Sequence, residues 1–168
     1  MILKVTADGW FEAAGARLPC ALGRGGRRAD KREGDGATPT GRFPLRRMLY
    51  RADRMARPAT RLPVRAIAPD DGWCDDPADG ANYNRPVRLP HRSSAERLWR
   101  PDHLYDLIVV LGHNDDPPVP FVGSAIFLHL ARDAYAPTEG CVALEQAHLL
   151  WLLARAAEGD LLVVEPPA

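Results

Sequence analysis

Residues 124–130 read Ser-Ala-Ile-Phe-Leu-His-Leu and predict a β-strand whose side chains alternate between two faces. Because side chains alternate with a period of two, one face of the strand carries Ala125, Phe127 and His129. The other face carries Ile126, Leu128 and Leu130. The alternation of apolar residues indicates a buried strand with a histidine near its end.

Strand signals dominate the rest of the chain. The predicted strands are Ile2–Thr6, Phe43–Tyr50, Asp106–Leu111 and Leu161–Val164, with a turn at Asp8-Gly9 after the first. One clear helix is predicted at about 145–158, with Gly159 as its C-terminal cap. The alternating helices of a doubly wound fold are missing, so we expect a mainly β architecture.

The length of 168 residues favours one domain over 1–168. Residues of about 51–104 are rich in Pro, Asp, Arg and Asn, and predict a long irregular insertion with short strands. A segment of this kind is usually a functional loop or lid, and disorder is the alternative.

Composition excludes several classes of partner. The hydrophobic content of 46% is ordinary for a globular protein, and the net charge of zero gives no reason to expect nucleic-acid binding. No segment reaches the length of a membrane span, and no signal peptide is recognisable at the N-terminus. We expect a cytoplasmic location for the chain as it stands, or a periplasmic or cell-envelope one if a leader was removed. The three cysteines, far apart in sequence, predict free thiols in a reduced compartment and no cofactor.

A histidine and a cysteine stand twelve residues apart, at His129 and in the run Thr138-Glu-Gly-Cys141-Val. A cysteine is nucleophilic as its thiolate, and a neighbouring imidazole can take its proton and form an ion pair. Gly140 permits a sharp turn, so the amides of Gly140 and Cys141 could form an oxyanion hole. On spacing alone, a buried structural cysteine and a core histidine remain the alternative.

Two blocks of sequence carry a family resemblance. Residues 123–129 and 136–144 read Gly-Ser-Ala-Ile-Phe-Leu-His and Ala-Pro-Thr-Glu-Gly-Cys-Val-Ala-Leu, and resemble the signature of the L,D-transpeptidase catalytic domain, or YkuD-type domain. Residues 31–43, Lys-x-Glu-Gly-Asp-Gly-x-Thr-Pro-x-Gly-x-Phe, are similar to an early block of that family.

The resemblance implies an antiparallel β-sandwich and a cysteine acyltransferase that acts on peptidoglycan stem peptides. Cys141 would attack the bond between the diamino acid and the terminal D-alanine, and the carbonyl of Leu130 would orient His129. An amine acceptor gives transpeptidation, and water gives L,D-carboxypeptidase action of the kind used in peptidoglycan recycling. An inactive muropeptide-binding module is the alternative of another class.

Two positions depart from the family pattern: Glu139 stands where many members have histidine, and Ala143 where many have arginine or asparagine. The candidate substrate-binding residues are Thr138, Arg132, Asn84, Tyr83 and His113, with Arg85 as a second candidate cation. A zinc site built from Cys141, His129 and His113 is disfavoured, because no pair has the usual ligand spacing. Oligomeric state is not predicted.

Overall fold

The computed structural model describes residues 1–168 and shows a mainly β fold with one α-helix. The strands of the main sheet are β1 (Ile2–Val5), β2 (Phe11–Ala13), β3 (Ala16–Leu18), β6 (Gly41–Tyr50), β7 (Val64–Ala66), β11 (Leu107–Leu111), β12 (Phe127–Leu130), β13 (Val142–Leu144) and β14 (Leu161–Val164). The short strands β4 (Arg27–Arg28) and β5 (Thr38–Pro39) pair with each other, and β8 (Asp71–Cys74), β9 (Pro86–Arg88) and β10 (Ala95–Arg97) form a separate sheet.

The main sheet has nine strands in the order β13-β12-β11-β6-β14-β1-β2-β3, with β7 attached to β6. Its centre is the long strand β6, which pairs with β14 through residues 41–44 and with β11 through residues 45–50. Most pairs are antiparallel, whereas β1–β14, β6–β7 and β12–β13 are parallel. Because β6 takes part in both halves, the sheet curls around a common core.

Two apolar clusters lie on opposite sides of strands β11 and β12. The larger one includes Leu128 and Leu130, and the helix packs into it through Leu149, Leu152 and Leu153. The smaller one includes Phe127 and Cys141. The alternation predicted from residues 124–130 is therefore confirmed, and it determines that Cys141 lies on the opposite side of the sheet from the helix.

Residues 51–104 carry four of the short strands and close over the smaller cluster. Trp73 in β8 packs edge-on against Phe127, with ring centroids 5.2 Å apart, and Leu98 is buried in the same cluster. The insertion therefore covers the face of the sheet on which Cys141 lies.

The helix is shorter than the sequence predicts, and Gly159 does not cap it. Helix α1 spans Gln146–Leu153, and its C-terminal cap is Ala154. The backbone beyond it pairs with the insertion instead: the Arg61 amide donates to the Ala156 carbonyl at 3.1 Å, and Gly159 lies in the turn that leads to β14. No helix is long and apolar enough to cross a membrane.

The strand predicted at 124–130 begins only at Phe127. Ala125 has a left-handed backbone conformation, with φ of 52°, and its amide donates to the Asn84 side chain at 3.1 Å rather than to a neighbouring strand. A side chain far away in sequence therefore replaces the strand pairing that local pattern predicts here.

Candidate active site

Cys141 and His129 are brought to one face by the parallel pairing of β12 with β13. Leu128 lies opposite Val142 and His129 opposite Ala143, so Cys141, which immediately precedes β13, lies beside Phe127. Both side chains line the same pocket, of about 300 Å³. The loop of residues 131–141 returns the chain between the two strands, as the sequence predicts.

His129 is held by the backbone and is almost completely buried. Its Nδ1 donates to the Leu130 carbonyl at 2.8 Å, which leaves Nε2 with the lone pair. The ring packs edge-on against Tyr105, with centroids 5.2 Å apart. Burial lowers the pKa of His129 to about 4, so the imidazole is neutral at neutral pH.

The thiol of Cys141 is also neutral. Its Sγ donates to the Ala125 carbonyl and accepts from the Phe127 amide, both at 3.3 Å, and the imidazole is not among its hydrogen-bond partners. Burial, and after it the charge of Glu96, raise the pKa of Cys141 to about 12. The resting site thus favours a neutral thiol and imidazole over the ion pair expected from sequence, because desolvation penalises both charged forms.

The loop before Cys141 is organised by Thr138. Its hydroxyl donates to the Cys141 carbonyl at 2.6 Å and accepts from the Gly140 amide at 3.1 Å. The predicted oxyanion hole is corrected on this point, because the Gly140 amide is already used. The Cys141 amide donates to no group in the chain and is left as a candidate oxyanion donor.

The early sequence block packs directly against this loop. The hydroxyl of Thr38 accepts from the Gly23 amide at 2.8 Å and lies 3.5 Å from the Cys141 carbonyl. Gly140 has φ of +134°, and a Cβ there would lie 2.8 Å from the Ala37 carbonyl oxygen. The two blocks that carry the family resemblance therefore meet at the cysteine.

The pocket has two walls. The strand wall consists of Ala125, Ile126, His129, Thr138 and Cys141. The insertion wall consists of Asp75, Glu96, Arg100, Leu104 and Tyr105. Lys31 and Glu33 of the early block and the hydroxyl of Ser124 lie between them, and Arg132 and Glu139 lie at the rim.

Of the substrate-binding candidates, the structure places Thr138 and Arg132 at the pocket. The hydroxyl of Thr138 is used within its loop. Arg132 is exposed and forms no ion pair, so its guanidinium is available to a substrate carboxylate.

The structure places the other three candidates outside this pocket, where they make hydrogen bonds and packing contacts within the scaffold. Asn84 bonds Trp73 Nε1 and the carbonyl of His113, both at 2.9 Å. The Tyr83 hydroxyl accepts from the Gly123 amide at 3.0 Å, and His113 packs edge-on against Phe43. Polar side chains in an apparently irregular segment were in this case buried hydrogen-bonding partners of backbone groups.

The two departures from the family pattern have local explanations. Glu139 is exposed and forms an ion pair with Arg24, whose Nε donates to both carboxylate oxygens, at 2.8 and 3.0 Å. Ala143 is completely buried in β13, where its amide donates to the Ala21 carbonyl at 2.9 Å. Arg85 lies in a different cavity from Cys141.

One group of side chains has the spacing of a metal site. The ligand atoms of Cys74, Asp79 and His91 lie within 4.8 Å of one another, outside the pocket. The Asp79 carboxylate already accepts from Asn82 and from Ser93, and these hydrogen bonds lower its pKa. The Asp79 carboxylate therefore already has hydrogen-bond donors supplied by the protein. Cys141, His129 and His113, the alternative metal set, do not form such a group.

Sequence reasoning missed the charged residues opposite the cysteine. Glu96 is a partly buried carboxyl that accepts from the Tyr105 hydroxyl, and desolvation raises its pKa. Arg100 pairs with Asp102 at 2.6 Å. No local pattern marks these residues, although the resemblance of residues 31–43 was a signal for Lys31 and Glu33.

The geometry defines a mainly β domain with a buried cysteine and histidine side by side in a cleft. Residues 7–164 match the family model of the L,D-transpeptidase catalytic domain, YkuD. The match covers nearly the whole chain, so the protein belongs to this family. No curated protein and no solved structure matches the chain significantly.

Proposed function

We propose that the protein is a cysteine acyltransferase that cleaves the L,D bond between the diamino acid and the terminal D-alanine of peptidoglycan stem peptides. The observation that carries the proposal is the placement of Cys141 and His129 in one pocket, in a chain that matches the family over residues 7–164. The Leu130 carbonyl supports it by fixing the imidazole with Nε2 unprotonated.

The site starts neutral, so the proton must move as the reaction proceeds. His129 Nε2 takes the proton of Cys141 as Sγ attacks the carbonyl carbon, and the Cys141 amide stabilises the oxyanion. The imidazolium then gives the proton to the nitrogen of D-alanine as the C–N bond breaks, which leaves a thioester on Cys141. A substrate that brings a positive charge close to Cys141 would help the first step, because the buried thiolate is costly in the free protein.

The thioester is resolved by an acceptor. An amine of another stem peptide gives a cross-link, and this transpeptidation is the primary proposal. Water as acceptor gives L,D-carboxypeptidase activity with the same catalytic residues, so both reactions depend on Cys141 and His129.

The test is incubation with a disaccharide-tetrapeptide, with and without an added D-amino acid, followed by mass spectrometry. The expected result is loss or exchange of the terminal D-alanine in the wild type and in Cys20→Ala, and no product in Cys141→Ala. Exchange or dimer formation identifies a transpeptidase, and tripeptide alone identifies a carboxypeptidase. If no product depends on Cys141, the acyltransferase proposal fails and the muropeptide-binding alternative replaces it.

A further inference from the structure

We propose that Glu33, Asp75 and Glu96 form an anionic subsite that binds the side-chain ammonium group of the substrate's diamino acid beside Cys141. The inference deepens the proposed function and rests on it. It predicts that the pocket prefers a substrate with a positive charge at this point. Neither the family match nor the pair of Cys141 and His129 predicts that preference.

The three carboxylates line the same pocket as Cys141. Burial raises the pKa of Glu96, the hydrogen bond from Tyr105 and the charge of Arg100 lower it, and the charges of Asp75 and Glu33 raise it further. None of the three forms an ion pair with a side chain of the protein. The cations nearby form their ion pairs with other residues, Lys31 with Asp35 and Arg100 with Asp102, although the charge of Arg100 also lowers the pKa of Glu96.

Two buried polar atoms at this place have no partner in the chain. Ser124 is 7% exposed and lines the pocket, and its hydroxyl makes no hydrogen bond. It lies beside the Tyr83 hydroxyl, which already donates to Glu33. The Oδ1 atom of Asp75 is likewise buried and unpaired. Since buried polar atoms are normally satisfied, these two atoms point to a hydrogen-bond donor supplied by a ligand.

The spacing of the carboxylates favours an organic cation over a metal ion. The three do not bring their oxygens within 4.8 Å of one another, as Cys74, Asp79 and His91 do with their ligand atoms. An ammonium group has three donors and can reach acceptors that are spread around it.

Arg132 places a positive charge at the rim of the same pocket, away from the three carboxylates. A diamino acid followed by D-alanine carries an ammonium group and a terminal carboxylate, so its charges match this arrangement. Binding the ammonium would also offset the charge of Glu96, which opposes formation of the Cys141 thiolate.

The first test compares tetrapeptides with a free and an N-acetylated side-chain amine. With the free amine, Glu33→Gln, Asp75→Asn and Glu96→Gln should each lower kcat/KM for D-alanine release by about tenfold or more. With the acetylated peptide, Glu33→Gln and Asp75→Asn should equal the wild type within about twofold, and Glu96→Gln should show no loss, because removing its charge eases formation of the Cys141 thiolate. The matched control is Glu158→Gln, an exposed carboxylate outside the pocket. Equal losses on both peptides would overturn the proposal.

The second test does not need acyltransferase activity. Aminoethyl and sulfonatoethyl methanethiosulfonate each transfer their thio group to a cysteine thiolate and release methanesulfinate. Cys141 should react with the cationic reagent faster by about tenfold or more, relative to the reaction of each reagent with free cysteine. Peptide mapping locates the label, because Cys20 and Cys74 are also free thiols.

The ratio of the two rates is the quantity to compare between variants, because removing the charge of Glu96 also changes the thiol pKa. The ratio should fall in the three subsite variants and stay unchanged in Glu158→Gln. A ratio that is the same in all of them would overturn the subsite. If the ratio falls but the wild type releases no D-alanine, the proposed function fails while the cation site stands.

Discussion

The strand wall and the insertion wall of the pocket are built from different interactions. In the strand wall, the backbone holds the reactive groups: the Leu130 carbonyl fixes His129, and the Phe127 amide contacts Cys141 Sγ. In the insertion wall, charged side chains are held by side chains, as with Glu96 by Tyr105. Under the proposed function, we infer that the strand wall positions the catalytic groups and that the insertion wall selects the charge of the substrate.

The largest expected effect tests the strand wall. We predict that His129→Gln lowers the rate of D-alanine release by roughly 10²–10⁴-fold, because it removes the only base that faces Cys141 from the strands. The measurement is kcat from mass-spectrometric quantification of tripeptide, at pH 7 and substrate saturation.

Two variants sharpen that comparison. His113→Gln changes the other buried histidine, which lies outside the pocket, and should leave kcat unchanged. Tyr105→Phe keeps the ring against His129 and removes the hydroxyl that Glu96 accepts from, so its effect on kcat should be far smaller. If Tyr105→Phe is as harmful as His129→Gln, the division of roles between the walls is wrong.

The same histidine should make the fold sensitive to acid. The pKa of His129 falls from 6.5 when exposed to about 4 in the folded protein, so the folded state disfavours its protonation. Its contribution to the free energy of unfolding is fully present above pH 6.5 and is lost as pH falls towards 4, by ~3 kcal/mol in all. Urea unfolding at a series of pH values measures this loss.

The histidine variants again provide the controls. In His129→Gln the acid-dependent loss should shrink by that amount, whereas in His103→Gln, an exposed histidine, it should persist. An unchanged pH dependence in His129→Gln would show that the buried imidazole is not neutral in the folded state.

The two walls also differ in how far the sequence predicts them. The strand wall depends on local patterns: alternation sets the faces around His129, and Gly140 and Thr138 stand beside Cys141. The insertion wall depends on tertiary structure, because Asp75 and Glu96 meet only through the pairing of β8 with β10. Where the structure differs from the sequence-based expectations, the cause is likewise tertiary structure.

Asn84 illustrates how a tertiary contact decides the position of a polar side chain. It looked like a residue of the cleft, but its side chain replaces a strand partner for Ala125. Past the end of helix α1 a similar long-range contact is present, since the Ala156 carbonyl accepts from the Arg61 amide. Both contacts join segments far apart in sequence, and periodicity does not report such contacts.

A smaller effect tests how tightly the early block holds the cysteine loop. Gly140→Ala should lower the free energy of unfolding by about 2 kcal/mol or more, because φ of +134° strains alanine and its Cβ would meet the Ala37 carbonyl at 2.8 Å. Gly9→Ala is the matched control, with φ of +86° and no atom within 4 Å of the added Cβ. Its loss should be about 1 kcal/mol, from backbone strain alone. Equal losses in urea unfolding would mean that the contact with Ala37 is not restrictive.

The smallest effect concerns the rim of the pocket, whose residues belong to neither wall. The pair of Arg24 with Glu139 is solvent-exposed, with side chains 60% and 78% accessible, so a double-mutant cycle of Arg24→Gln and Glu139→Gln should give a coupling below about 1 kcal/mol. Glu139→His restores the residue that many family members carry and should leave kcat within about threefold, because the base is already supplied by His129. A large gain in kcat would instead mean that the rim position takes part in proton transfer. The contrast between a catalytic strand wall and a charge-selecting insertion wall would then have to include the loop of residues 131–141, which joins β12 to β13 and carries Glu139.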